Sequence, residues 1–186
     1  MPSARADLAA PAVRSTGDNG RVLSWDHQLE RWIVGHRVHA LNPLVEALTY
    51  AGTYGLLWLA VGGLLALALR RPPIFLWVLV ADVAAELSSD ALKALTNRAR
   101  PTLDALVAKP SSSSFPSGHA TTSFASAVVV AGLVPRLRVP ALALAALIAL
   151  SRLYVGVHFP TDVAAGAALG GAIGFAVLTL ARRRGV

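Results

Sequence analysis

Residues 139–181, VPALALAALIALSRLYVGVHFPTDVAAGAALGGAIGFAVLTLA, decide the fold. Two apolar runs, Val139 to Val157 and Pro160 to Ala181, flank a short polar hinge. Each run is about the twenty residues that a bilayer core demands. The hinge holds Arg152, His158 and Asp162, ionisable groups that are expensive beside hydrocarbon and are a functional signal there. In the second run Gly166, Gly170 and Gly174 recur every fourth residue, with Ala167 and Gly171 alongside. Such a seam of small residues lets a neighbouring helix approach closely.

The same pattern extends upstream. Thr53 to Leu69 is apolar and ends at Arg70-Arg71-Pro72-Pro73, and its helix can begin as early as Pro43, a favoured first-turn residue. Pro73 to Leu95 is apolar in its first half and then carries Asp82, Glu86, Asp90 and Lys93. His119 to Val134 is small and apolar and stops at Pro135-Arg136-Leu137-Arg138. The reading is all-α: an integral-membrane helical bundle of about five transmembrane helices. Before it, Ser24 reads as an N-cap with Asp26 in the first turn. Trp25, Leu29, Trp32, Ile33 and His36 then share one side, while Glu30, Arg31 and Arg37 face elsewhere. That run is too polar to span and reads as an N-terminal amphipathic helix lying in the membrane interface. Residues 1–22 read as a disordered tail without the apolar stretch of a secretory signal, leaving 23–186 as one domain.

Composition agrees. Of 186 residues, 55% are hydrophobic and 15% charged, against about one quarter charged in soluble domains. The absence of cysteine excludes a disulfide framework, thiolate zinc ligands and a cysteine nucleophile. The net charge of +7 comes from arginines placed in gaps between apolar runs, not along one stripe with aromatics. Flanking charge on membrane spans accounts for it, and no nucleic-acid partner is expected.

Three polar stretches carry chemistry. The first runs from Lys93 to Arg100-Pro101, the second is Pro116-Ser117-Gly118-His119, and the third runs from Ser151-Arg152 through His158 to Asp162. Counting crossings puts all three on one membrane face. Arg100 offers a planar fork for two phosphate oxygens and Lys93 a point charge, although cations at span ends also snorkel, and Arg98 has no better claim than that. Gly118 opens a helix whose first N–H groups suit a phosphate oxygen. Ser117 adds a hydroxyl and His119 an imidazole; a plain turn would read the same way. Asp162, four residues after His158, can fix the ring's tautomer and leave its other nitrogen free as a nucleophile, or the two can form a structural pair. The Asp82, Glu86 and Asp90 stripe reads as pairing with Lys93 or Arg152 and support for the site, ahead of a metal or proton path. His27, His36 and His39 read as surface histidines.

Together these residues resemble the type 2 phosphatidic acid phosphatase superfamily, whose ordered signatures Lys-x6-Arg-Pro, Pro-Ser-Gly-His and Ser-Arg-x5-His-x3-Asp all stand here unsubstituted between residues 93 and 162. The resemblance implies a phosphohydrolase that needs no metal or cofactor and works through a phosphohistidine. His158 would be the nucleophile, Asp162 its orienting carboxylate and His119 the acid for the leaving alkoxide. Lys93, Arg100, Ser117, Gly118 and Arg152 would hold the phosphoryl oxygens. It implies a lipid phosphate as substrate: a polyprenyl phosphate or diphosphate or its sugar derivative, phosphatidic acid, or phosphatidylglycerol phosphate. Family members often have six spans, whereas a polar tail stands here in place of the first, which leaves the N-terminal placement and a homo-oligomer open. Vanadium haloperoxidases share the pocket but are soluble. A catalytically silent scaffold, a lipid-binding protein or a transporter is the alternative, disfavoured by the retained His119, His158 and Asp162. The Ala- and Arg-rich composition points to a GC-rich bacterium and a polyprenyl carrier of cell-wall assembly, a decaprenylphosphoryl-phosphoribose among the set. Arginine-rich turns opposite the motifs place the site on the extracytoplasmic side of the bacterial cytoplasmic membrane.

Overall fold

The structure, a computed structural model, describes residues 20–186, so the tail expected over 1–22 lies outside the described residues as far as residue 19. Seven helices follow: α1 (Gly20–Gly35), α2 (Asn42–Ala51), α3 (Leu56–Ala68), α4 (Pro73–Thr96), α5 (Gly118–Leu133), α6 (Arg138–Tyr154) and α7 (Pro160–Arg183). Among the described residues there is no strand. Two helical segments among the described residues are long and apolar enough to cross a membrane, Pro135–Tyr154 and Pro160–Arg183. The α2–α3 pair passes together, bent by 61°.

α5 is the hub. Eleven of its sixteen residues are buried, and it packs against α4, α6 and α7. The glycine seam of α7 explains how closely α5 and α7 approach. A Cβ on Gly166 would lie 2.6 Å from the Ser117 carbonyl oxygen, and one on Gly170 would strike the backbone of Thr121. This contact brings the N-termini of α5 and α7 together, where the Ser117 N–H donates to the Asp162 carbonyl at 3.0 Å. Gly171 faces open space. Gly170→Leu is therefore expected to destabilise the bundle by about 1–3 kcal/mol or more through overpacking, while Gly171→Leu leaves stability unchanged. Thermal unfolding in detergent checks this, and equal midpoints for the two variants would contradict it.

Three boundaries differ from the sequence reading. The span expected from Thr53, or from Pro43, is broken at Gly52–Gly55. Gly55 adopts φ +64°, and the Asp82 carboxylate occupies the place of its missing Cβ. α4 stops at Thr96, one residue past the expected Leu95, because Asn97 turns left-handed (φ 45°) and donates its N–H back to the Lys93 carbonyl. α1 begins at Gly20, so Ser24 lies inside the helix and is not its cap.

α1 also presents the opposite face to the one a soluble helix would. Asp26 and Glu30 are buried against the protein, while Trp25, Leu29 and Trp32 are exposed, Trp32 at 60%. Of the apolar side expected from the spacing, Trp25, Leu29 and Trp32 point away from the bundle, while Ile33 packs against it.

Candidate active site

The seam and the bend set the site. At one end of the bundle the close of α4, the start of α5, the close of α6 and the α6–α7 hinge surround a cavity of about 270 Å³. Lys93, Arg100, Gly118, His119, Arg152 and His158 line it. Six of the eight residues expected at the site therefore line one cavity. The other two stand behind it: Asp162 is fully buried, and so is Ser117, whose hydroxyl has no hydrogen-bond partner among the described residues.

His158 sits in the hinge, which Gly156 turns with φ +76° where a Cβ would lie 2.7 Å from Arg37 Nη2. Phe159 and Pro160 start α7, so Asp162 falls in its first turn and accepts the Phe159 N–H on Oδ2 at 2.9 Å. The same oxygen lies 3.5 Å from His158 Nδ1, beyond a good hydrogen bond. Arg100 Nη1 donates to His158 Nε2 at 3.1 Å, which leaves the proton of the neutral ring on Nδ1, facing the carboxylate. Burial pulls the His158 pKa down to about 4, opposed by Asp162 and reinforced by Arg152 and Arg100. At neutral pH the ring is uncharged, with its Nε2 lone pair accepting from Arg100.

Thr49 organises the opposite wall, and sequence reasoning missed it. The bend at Gly52 turns the end of α2 toward the site: a Cβ there would lie 3.1 Å from the His119 ring. The Thr49 carbonyl accepts from His119 Nε2 at 3.0 Å, and its hydroxyl accepts from Arg152 Nη1 at 2.6 Å. His119 is thereby held through Nε2–H, with Nδ1 as the position left for proton transfer. Nothing in the local sequence of a lone threonine inside an apolar run signals this.

The Ser111–Ser114 run, uninformative in sequence, braces Arg100. Its Nε donates to the Ser112 carbonyl at 3.0 Å and its Nη2 to the Ser113 carbonyl at 3.2 Å. Arg98 is likewise no surface snorkel: it pairs with Asp26 at 2.7 Å and with Asp162 at 2.5 Å. Of the acidic stripe, Asp90 pairs with Lys93 at 2.9 Å, and Arg152 turns to Thr49 instead. Gly118 leaves room for Lys93, whose Nζ would lie 3.2 Å from a Cβ there.

Three cations, two imidazoles and a buried carboxylate around one cavity can hold a tetrahedral oxyanion, attack it and protonate what leaves. Fold and site together define a helical membrane protein equipped for phosphoryl transfer. Residues 74–185 match the family model described as PAP2 superfamily. The decaprenylphosphoryl-5-phosphoribose phosphatase of Mycobacterium tuberculosis is 38% identical over 133 residues, covering 69% of this chain and 74% of its own. The undecaprenyl-diphosphatase of Sulfolobus acidocaldarius is 31% identical over 160 residues, covering 82% and 77%. Among solved structures, the transmembrane PAP2-type phosphatidylglycerolphosphate phosphatase of Bacillus subtilis matches with a TM-score of 0.74 at 29% identity, covering 88% of each chain. The chain belongs to the PAP2 superfamily, and it is a phosphatase.

Proposed function

We propose that this phosphatase removes the terminal phosphate of a membrane lipid through a phosphohistidine on His158. The observation that carries the reading is the convergence of His158, His119, Lys93, Arg100 and Arg152 on one cavity with Asp162 behind His158. The phosphoryl group lies among Lys93, Arg100 and Arg152 and the N-terminal N–H groups of α5, with Gly118 giving the close approach and the Ser117 hydroxyl a further donor. The phosphoryl oxygens take the Arg100 guanidinium from His158 Nε2, and the freed lone pair attacks phosphorus. The ester P–O bond breaks, and the leaving alkoxide takes from His119 Nδ1 the proton that this nitrogen accepts from the bound phosphate monoanion. The phosphorylated ring becomes cationic, and Asp162 stabilises it through Nδ1–H. Water then attacks phosphorus, His119 takes its proton, and the P–N bond breaks to release phosphate and the neutral ring. The three cations supply the charge stabilisation that a metal ion brings elsewhere, so turnover is expected in EDTA.

The lipid we propose is a polyprenyl phosphate carrier or its sugar derivative, with a decaprenylphosphoryl phosphoribose as the first candidate. The Mycobacterium tuberculosis relative supports that choice by its name and its coverage. We read α2–α3, α4, α5, α6 and α7 as five crossings of a bacterial cytoplasmic membrane, with α1 in the interface. Support comes from α4, whose 24 residues extend about 36 Å, and from the outward tryptophans of α1. Arg71 and Arg136 gather beside Leu133 at the end opposite the cavity, which by the positive-inside rule faces the cytoplasm and leaves the site outside.

Detergent-purified protein given a panel of lipid phosphates with EDTA present tests the reading. EDTA-resistant phosphate release with a preference for polyprenyl substrates is expected. Release from phospholipids alone would sink the polyprenyl assignment, and release only with added divalent metal would sink the mechanism.

A further inference from the structure

Asp26 has no role in the chemistry above, yet it is a fully buried carboxylate carried on a helix whose apolar face points outward. Such a group is expensive to desolvate unless every lone pair is used. Here both oxygens are used. Oδ1 accepts the Thr161 N–H at 2.9 Å. Oδ2 accepts the Thr161 hydroxyl at 2.6 Å and Arg98 Nη2 at 2.7 Å. The Thr161 hydroxyl in turn accepts from Arg98 Nη1 at 2.7 Å, so its donor and acceptor roles are consistent. The same Nη1 donates to Asp162 Oδ1 at 2.5 Å, and the guanidinium lies over the Phe159 ring, 4.6 Å from its centroid. Arg98 thus touches the carboxylate beside His158 on the oxygen that His158 does not face.

We propose that Arg98 and Asp26 are positioning residues for phosphoryl transfer: Arg98 fixes the Asp162 carboxylate and divides its charge, and Asp26, brought in by α1, fixes Arg98. The proposal rests on His158 being the nucleophile. Asp162 with Oδ1 pinned by Arg98 and Oδ2 by the Phe159 N–H has one orientation left, the one that faces His158 Nδ1. Its charge must also be strong enough to stabilise the ring once phosphorylated. An undivided guanidinium would spend that charge on an ion pair. Asp26 competes for the same guanidinium and leaves a net negative charge on the two carboxylates and one cation. α1 therefore completes the site from the interface, through a contact between residues 72 apart in the chain.

The groups that set the charge state of His158 come from every neighbouring element. Asp162 faces it from α7, Arg152 from α6, His119 from α5, Lys93 and Arg100 from α4 and the loop after it, and Glu86 and Asp90 of α4 line the same cavity. One layer behind are Arg98, Asp26, and His27, whose ring packs edge-on to Phe159 at 4.6 Å. Against this background the two substitutions act in opposite senses. Arg98→Gln frees the Asp162 charge and raises the pH at which His158 protonates; Asp26→Asn turns Arg98 wholly onto Asp162 and does not raise it.

The test measures kcat, KM and the pH profile of kcat/KM for the full chain in detergent. The variants are Asp26→Asn, Arg98→Gln, Arg98→Lys and the double Asp26→Asn/Arg98→Gln, with melting temperatures alongside. Each single variant is expected to lower kcat by about 10–100-fold with KM within about threefold, as for an interaction made in the transition state. The acid limb should move up by about one pH unit in Arg98→Gln and not move up in Asp26→Asn. Arg98→Lys should recover part of the loss. The double variant should be no slower than Arg98→Gln, because Asp26 acts through Arg98. Where Arg98→Gln fails to fold, Asp26→Asn and Arg98→Lys carry the same kcat-against-KM reading. Folded variants with unchanged kcat, or losses that multiply in the double variant, would overturn the proposal. A wild type that forms no phosphohistidine would instead overturn the reading of His158, whatever the variants do.

Discussion

His158→Ala is expected to lower phosphate release by at least about 10⁴-fold, the scale of removing a covalent nucleophile whose partners then have nothing to act on. The other imidazole in the cavity cannot substitute, because Thr49 holds it by Nε2 on the opposite wall. Loss of the ring leaves Arg100 braced by Ser112 and Ser113 and Asp162 braced by Arg98 and Phe159, so the fold should survive. Unchanged melting temperature with abolished turnover separates chemistry from stability. The pH dependence has a defined sign. A ring whose pKa is pulled down to about 4 stays neutral and nucleophilic as pH falls from 7, and is silenced only as pH falls through the lowered value. Once the ionisation of the substrate phosphate is allowed for, the acid limb of kcat/KM belongs well below 6.5. An acid limb at the ordinary imidazole value would contradict the burial of His158.

The second large effect is at His119. Removing a general acid typically slows an alkyl ester by about 10²–10⁴-fold, so His119→Ala should lose that much on a lipid phosphate. An aryl phosphate needs little protonation as it leaves. For that substrate the variant should still release phenol in a burst and then stall, since His119 also serves the water that hydrolyses the phosphohistidine. Stopped-flow measurement of the burst checks this. A burst slowed as much on the aryl ester as on the lipid would show that His119 does something other than proton transfer.

The glycine seam was legible because its period is that of a helix, and the contact it makes with α5 is backbone against small side chain. The ordered polar stretches were legible because ionisable residues stand out between apolar runs. Contacts joining distant segments were not. Thr49 meets Arg152 across 103 residues and Asp26 meets Thr161 across 135, and such separations leave no periodic signal in the sequence. The break at Gly52–Gly55 lies between apolar runs, and the Asp82 carboxylate that fills the space beside Gly55 comes from α4, distant in sequence. The spacing in α1 sets Glu30 apart from the Trp25–Trp32 side and Asp26 only in a first turn, whereas both carboxylates are buried against the protein. The rule that apolar faces turn inward assumes water outside, and Trp25, Leu29 and Trp32 turn the other way. Arg98 was passed over because a cation at a span end has a default explanation in snorkelling.

The most direct test of the central claim is to trap the intermediate. Wild-type enzyme is mixed with a phosphate-labelled lipid in EDTA, quenched within milliseconds and digested for peptide mapping. The predicted result is a label that is stable in alkali, labile in acid, absent in His158→Ala and located on the peptide containing His158. Phosphate release at the full rate without a labelled protein, or a label on any other residue, would contradict the account.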